Sequence, residues 1–165
     1  MRVVPSLARL DIYEKRCPTV IAAMANLVAA GVMTGVIWFV QVVHYPLFSM
    51  VSPDSSAHYA RENQRRTSLV VGPPMAVEGL ATIWLFVVPP TGLSRVVPAI
   101  SGLVLAVVLV STVLVQVPRH ARLAEATDAV TITATVHRLV SGNWVRTVGW
   151  SVCCVLAVVM VVAAK

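Results

Sequence analysis

The sequence predicts an all-α integral membrane protein, a bundle of four transmembrane helices. Apolar residues make up 58% of the 165 residues and charged residues 12%, whereas soluble domains contain about 45–50% and about 25%. The mean hydropathy is +0.82. About 20 apolar residues cross a bilayer core, and four stretches reach that length: Val20–Phe48, Ser68–Val88, Val96–Val117 and Trp144–Ala164.

Residues 1–19 are predicted to form an amphipathic lead-in, separate from a four-helix domain of residues 20–165. Leu7, Leu10 and Tyr13 recur at helical spacing with charged residues between them, a pattern typical of an anchor on the membrane surface. The apolar run that follows exceeds the ~7–15 residues of a signal-peptide core. We therefore expect the first long helix to be retained.

Polar residues on the first helix predict an inward face. Asn26, Thr34, Gln41 and His44 fall within about 80° of one another on a helical projection. The same helix contains "GVMTG", a Gly-x-x-x-Gly motif from residue 31 to 35. Such a motif lets another helix approach closely, and internal packing, homodimerisation and no role are all open.

The second and third helices add further polar positions. "GPPM" at residues 72–75 predicts a bend at Pro73 and Pro74. Glu78 is the one acid inside a spanning stretch, so we expect a functional role or a bond to Gln41. On the third helix Thr112, Gln116 and His120 step by four residues. After it, residues 121–140 have apolar positions at helical spacing and are expected to lie along the membrane surface.

Charge and cysteine usage narrow the functional classes. The net charge is +6, but the basic residues are scattered at helix ends, which predicts contact with anionic lipid and no nucleic-acid partner. Six lie on the side of the termini and seven on the other. If Arg66 and Arg146 are reserved for a site, the balance weakly favours cytoplasmic termini of a multi-pass protein in the cell membrane. The three cysteines predict no disulfide, because two are adjacent.

Two short motifs suggest that the chain contains two related hairpins. "NQRRT" begins at Asn63 and "NWVRT" begins at Asn143, 80 positions later. Gln41 and His44 at the end of helix one are echoed by Gln116 and His120 at the end of helix three. Such parallel repeats produce a pseudo-twofold axis along the membrane normal.

The alternation of helix directions places both motifs at the same end of the bundle. Each motif is expected to begin a helix, with Arg66 and Arg146 in the first turn, where the helix dipole disfavours a cation. One interpretation is snorkelling to headgroup phosphate. The other is a site in which both arginines bind a carboxylate, a phosphate or a quinone-type oxygen.

No motif requires a cofactor. His44 and His120 could hold haem or a metal ion, although no His-x-x-x-His or Glu-x-x-His pair occurs on a predicted helix.

Four segments resemble the anthrone oxygenase family of small four-helix membrane proteins. These are "VQVPRHARL", "LVSGNWVRTVGW", "VQVVHYPLF" and "RRTSLVVGPPMAVEGL", the last two being similar to a bacterial branch, which implies a bacterial inner membrane. The resemblance implies that Trp144 and Arg146 are the family's helix-four pair, while His120 stands where an Asn is more usual. It also implies an oxidoreductase that converts an anthrone to an anthraquinone with dioxygen and no recognisable metal motif.

Two functions follow as hypotheses. In the first, a polar pocket at one leaflet binds or oxidises a small aromatic or quinone-like molecule. Its catalytic candidates are His44, His120 and Glu78, and its ligand-binding candidates are Gln41, Asn63, Arg66, Gln116, Asn143, Trp144 and Arg146. In the alternative, the protein is a non-catalytic subunit or scaffold of a larger membrane complex, or a homodimer.

Overall fold

A computed structural model describes the backbone of residues 7–48 and 50–164, and their side chains except those of residues 7–15 and 53. The elements are α1 (Leu7–Phe39), a π-helical turn (Val40–His44), α2 (Tyr45–Phe48), α3 (Pro53–Val87), α4 (Val96–Ser111), a second π-helical turn (Thr112–Gln116), α5 (Val117–Glu125) and α6 (Ala129–Ala164). No strand occurs among these residues.

The described chain contains four segments long and apolar enough to cross a membrane: Arg16–Phe48, Asp54–Val87, Val96–Glu125 and Ala129–Ala164. We refer to them as spans 1 to 4. The predicted fold class, an all-α integral membrane bundle, is confirmed. Span 1 packs against spans 2 and 4, and span 3 also packs against spans 2 and 4. The spans therefore form a closed ring around a common core.

The core is built from small residues and a few large ones. Ala30 and Ala157 are fully buried beside Met33 and Leu85, with Trp150 the largest fully buried side chain. The large apolar side chains on the outward surface are mostly Val, Leu and Ile, with some Trp, Phe and Met. A lipid-facing surface requires such residues, because lipid tails solvate apolar side chains and leave no water for polar ones. Asn26 and Gln41 are buried, so the inward face predicted for the first helix is confirmed.

Two of the spans begin earlier than predicted. The second helix starts at Pro53 rather than Ser68, and the fourth starts at Ala129 rather than Trp144. "SPD" at residues 52–54 is a helix-start signal, with proline in the first turn and an acid at the positive end of the dipole. The prediction that Arg66 and Arg146 occupy first turns is therefore wrong: both lie well inside long helices.

The predicted surface segment of residues 121–140 is also wrong as a single element. Residues 121–125 end α5, and residues 129–140 belong to α6, which continues directly into the membrane span. Asp128 separates the two helices by capping α6: its Oδ1 accepts the Thr131 N–H at 2.8 Å. At the end of α5, the Ala124 carbonyl accepts a hydrogen bond from Arg61 at 3.1 Å, which satisfies an orphan carbonyl.

Other sequence predictions have mixed outcomes. The helix runs through Pro73 and Pro74 without interruption. It also runs without a break across the proposed boundary between residues 19 and 20, while residues 1–6 of the lead-in lie outside the described residues. Side chains added at Gly31 or Gly35 would meet nothing within 4 Å, so the Gly-x-x-x-Gly motif does not pack internally. The three cysteines are free thiols, as predicted.

Spans 3 and 4 are in close contact at Gly149. A Cβ built there would overlap Val108 Cγ2, and Val108 is itself fully buried. The missing side chain therefore sets the distance between these two helices.

We expect Gly149→Ala to lower the free energy of unfolding by about 1–3 kcal/mol, the range observed for overpacked cores. Gly31→Ala is the matched control, because its added methyl group meets open space. Reversible unfolding in mixed micelles would measure both variants. If the two behave alike, close helix packing at Gly149 is not required.

The Asp128 cap should make the start of α6 sensitive to acid. The hydrogen bond from the Thr131 N–H holds the pKa of the Asp128 carboxyl below its usual range. The stabilisation is therefore present above the ordinary aspartate pKa and is lost as the pH falls through the lowered value. Protection of the Thr131 amide against hydrogen exchange, corrected for the intrinsic rate, should fall in that range. Asp128→Asn retains a cap that does not titrate, so its protection should stay constant; an equal fall in both proteins would contradict the prediction.

Candidate functional site

Two π-helical turns shape the same end of the bundle. One covers Val40–His44 in span 1, and the other covers Thr112–Gln116 in span 3. A π-helical turn inserts an extra residue into an α-helix and re-aims the side chains around it, which is common at functional sites. Gln41 and Gln116 are both almost completely buried at these turns. The two turns occupy corresponding positions in the proposed hairpins, which supports that prediction.

Asn143 joins spans 1 and 4 through a fully buried amide. Its Nδ2 donates to Gln41 Oε1 at 2.9 Å, and Gln41 Nε2 donates to the Val140 carbonyl at 3.2 Å. Asn143 Oδ1 accepts a hydrogen bond from Arg146 Nη1 at 3.1 Å. The Gln41 amide is therefore fully paired, and the same asparagine orients the arginine.

Arg146 is a buried cation, with 8% of its surface exposed. Its Cζ lies 5.4 Å from the centre of the Trp150 ring, a cation–π distance. Trp150 Nε1 donates to Glu78 Oε2 at 2.9 Å. Trp150 thus lies between a buried cation and a buried carboxyl group, and within the described residues no salt bridge is formed by either.

A cavity of about 100 Å³ lies beside Arg146. Its polar lining comes from all four spans and consists of His44, Tyr45, Asn63, Gln64, Thr67, Ser68, Thr112, Gln116, His120 and Arg146. Five buried polar atoms of these residues have no hydrogen-bonding partner among the described residues: His44 Nε2, Gln116 Nε2, Gln116 Oε1, His120 Nδ1 and Arg146 Nε. Because buried polar groups are normally paired, this concentration in one cavity distinguishes it from the rest of the bundle.

The two histidines differ in their surroundings. His120 Nε2 lies 2.9 Å from the Tyr45 hydroxyl, and the direction of that hydrogen bond depends on the histidine tautomer. The His44 ring packs edge-on against Phe48, with ring centres 5.3 Å apart. Each ring keeps one nitrogen without a protein partner in the described chain, and imidazole is the side chain whose ordinary pKa suits proton exchange near neutral pH.

An apolar groove between spans 1 and 2 adjoins the cavity. Its volume is about 500 Å³, and it shares a wall with the cavity at Val36, Val40, His44, Asn63, Thr67 and Val71. Its outer edge includes Phe39 and Val70, which face outward and are more than half exposed. Gly35, the second glycine of the Gly-x-x-x-Gly motif, also lines the groove.

The structure brings together only part of the predicted site. His44, Asn63, Gln116, His120 and Arg146 line one cavity, while Gln41 and Asn143 pack behind it. Arg66 does not line this cavity: it is exposed, pairs with Glu62 Oε2 at 3.0 Å and lines the adjoining groove. The predicted convergence of two arginines is therefore wrong, because Arg66 points outward from span 2 and Arg146 points into the bundle.

Trp144 and Glu78 also lie away from the cavity. Trp144 is about half exposed and contacts Trp38 edge to face at 5.8 Å between ring centres. The predicted Glu78–Gln41 bond is wrong: the Glu78 carboxyl accepts from Trp150, and its backbone carbonyl accepts from Asn26 Nδ2 at 3.3 Å. Glu78 lies deeper in the bundle than Gln41, so the two side chains have different neighbours.

Sequence reasoning missed Tyr45 and Trp150. Tyr45 follows His44 directly, and the π-helical turn directs it into the bundle. Trp150 lies four residues after Arg146, a spacing that puts both on one helix face. That spacing was a usable signal for the cation–π contact.

Among the side chains that the structure describes, no group of three or more His, Cys, Asp or Glu residues could hold a metal ion. His44 and His120 line the same cavity, and haem or metal binding by them stays a prediction.

Comparisons with protein-family models, with curated proteins and with solved structures found no match for this chain.

We expect the Gln41–Asn143 hydrogen bond to contribute measurably to folding. A double-mutant cycle with Gln41→Leu and Asn143→Leu should give a coupling energy of about 0.5–2 kcal/mol, the range for interhelical hydrogen bonds in membranes. Asn63→Leu, combined with Gln41→Leu, is the matched control and should show no coupling. A coupling near zero for the first pair would argue against a structural role for this bond.

Proposed function

We propose that the protein binds a small lipophilic aromatic molecule with a ring-bound oxygen, such as a quinone. The single observation that carries the proposal is that four residues lining one cavity, His44, Gln116, His120 and Arg146, carry five buried polar atoms with no hydrogen-bonding partner among the described residues, and that an apolar groove adjoins this cavity. Polar groups that fix orientation beside an apolar surface are the usual composition of a small-molecule site.

The volumes indicate how such a molecule would be held. About 100 Å³ is too small for a fused aromatic ring system, since drug-sized ligand sites are about 300–1,000 Å³. The adjoining groove of about 500 Å³ is large enough. The rings would lie in the groove, entering from the bilayer between spans 1 and 2, with only the oxygen reaching the cavity.

Arg146 is the group best suited to bind that oxygen. A guanidinium stays protonated and offers five donors in a planar fork. Arg146 Nη1 donates to Asn143, and the face of the guanidinium packs against Trp150. Arg146 Nε has no protein partner in the described chain. A partial negative charge on a ligand oxygen would interact favourably with this cation in a medium of low dielectric constant.

Oxidation of the bound molecule is the extension that the anthrone oxygenase resemblance suggests. In that reaction a ring methylene loses two hydrogens and gains one oxygen atom of dioxygen, and the other oxygen atom leaves as water. His44 or His120 would act as the base that removes the first proton. Arg146 would stabilise the resulting phenolate-type oxygen, and Glu78 would act only through Trp150, as a positioning residue.

One observation favours the alternative role as a non-catalytic subunit or scaffold. Gly31 and Gly35 leave an open surface on span 1, where a partner helix could approach closely. Purification in mild detergent separates the two hypotheses. A stoichiometric partner without any bound aromatic molecule would favour the scaffold, whereas a bound chromophore would favour the binding site.

The arginines supply the sharper test. Arg146→Lys should weaken binding of 1,4-naphthoquinone about tenfold to hundredfold, because lysine keeps the charge and loses the fork, at a cost of about 1.5–3 kcal/mol. Arg66→Lys should have a smaller effect, since Arg66 is exposed, pairs with Glu62 and lines the groove but not the cavity. Quenching of tryptophan fluorescence in lipid nanodiscs, corrected for partition into protein-free nanodiscs, would report both.

Arg65→Lys is the matched control, because Arg65 is exposed and also pairs with Glu62. A folded Arg146→Lys variant with wild-type affinity would overturn the proposed role of Arg146. Absence of saturable binding to the wild-type protein would overturn the function itself.

A further inference from the structure

The buried glutamines at the two π-helical turns differ in their hydrogen bonding. At the first π-helical turn, the Gln41 amide is fully paired: its oxygen accepts from Asn143 and its nitrogen donates to the Val140 carbonyl. At the second turn, the Gln116 amide is equally buried, with 1% of its surface exposed, yet neither its oxygen nor its nitrogen has a partner within the described residues.

The counterpart of Asn143 in the other half is Asn63, the first residue of "NQRRT". Asn63 lines the same cavity as Gln116, but its Oδ1 accepts from the Thr67 hydroxyl at 3.2 Å. In the first half Asn143 bonds Gln41 directly, whereas in the second half Asn63 and Gln116 both line the cavity. The Gln41 amide is therefore paired within the protein, whereas the Gln116 amide has no partner among the described residues.

Gly142 of span 4 lies directly beside the Gln116 amide. A Cβ at this position would lie 2.9 Å from Gln116 Nε2 and would also overlap the Arg119 guanidinium. A side chain at residue 142 would therefore collide with Arg119 and with the Gln116 amide. The amide has a donor and an acceptor without a partner among the described residues, and Gln116 lines the cavity.

We propose that Gln116 recognises a ligand carrying a carbonyl beside an N–H or O–H group, as in an aromatic lactam or hydroxy-ketone, through two hydrogen bonds. This inference rests on the proposed function, since it specifies the polar group of the molecule bound there. The ligand carbonyl accepts from Gln116 Nε2, and the neighbouring N–H or O–H donates to Gln116 Oε1. The pairing reproduces, with a ligand, the contacts that Gln41 makes with span 4.

This pairing predicts selectivity for the donor group. A ligand with the carbonyl alone leaves Gln116 Oε1 buried and unpartnered, and an unpaired buried acceptor is costly. Sites built to bond a ligand N–H or O–H reject analogues that lack it. A quinone, which has no donor, should therefore bind more weakly than a lactam of similar size.

The test uses two probes that differ only in the substituent on the ring nitrogen. 2-Quinolinone presents an N–H beside its carbonyl, whereas N-methyl-2-quinolinone has the same rings without the donor. Wild-type protein in nanodiscs should bind 2-quinolinone about tenfold more tightly. Gln116→Leu replaces the amide with an apolar side chain of similar size. It should remove this preference and lower the affinity mainly for 2-quinolinone.

Gln64→Leu is the matched control, because it also removes a glutamine from the cavity lining. It should change the affinity for both probes by the same factor and so leave the preference at its wild-type value. Isothermal titration calorimetry, corrected for partition into protein-free nanodiscs, measures each pair.

Each outcome discriminates. Equal binding of both probes by wild-type protein would overturn the inference, as would a preference that survives in Gln116→Leu. If 1,4-naphthoquinone binds but the two quinolinones are not distinguished, the proposed function stands and this inference fails. If no probe binds saturably, both fail.

Discussion

The buried amide of Asn143 is the interaction on which the polar end of the bundle depends. It pairs with Gln41 across the boundary between spans 1 and 4, and it holds Arg146 from the same helix. Arg146 in turn packs on Trp150, which donates to Glu78 of span 2. One chain of contacts therefore joins three spans. In a bilayer core, where water does not satisfy stray polar groups, such a chain constrains the relative positions of the helices in addition to apolar packing.

The two π-helical turns explain how a bundle of nearly repeated hairpins acquires an asymmetric site. Both turns bury a glutamine, and both are followed by an α-helix whose second residue is a proline. In one half Gln41 accepts a hydrogen bond from Asn143, and its amide is paired within the protein. In the other half the asparagine bonds its own helix neighbour instead, and a cavity opens between the two side chains. The loss of one glutamine–asparagine hydrogen bond thus leaves Gln116 available to a ligand, whereas Gln41 has a structural role.

Much of the architecture was predictable because apolar length and helical spacing are local properties. The four spans, the inward face of the first helix and the reduced cysteines follow from composition and periodicity. The starts of spans 2 and 4 were predictable from "SPD" and from Asp128, but the polar residues before each apolar run do not count toward the apolar length that predicts a span, so both predicted helices begin too late. That error moved Arg66 and Arg146 into first turns and suggested that they were equivalent.

The sequence by itself determined that this chain crosses a membrane with four helices, and that Gln, His, Asn and Arg residues gather at one end. It did so because hydrophobic length and helix direction need no information about neighbours. Only the tertiary structure decided which arginine is buried, which glutamine is paired and where the cavity lies. Arg66 and Arg146 occupy the same position in matching motifs, yet one faces outward with Glu62 and the other faces Asn143 and Trp150. That distinction depends on the rotation of each helix about its axis, which is set by packing against the other spans.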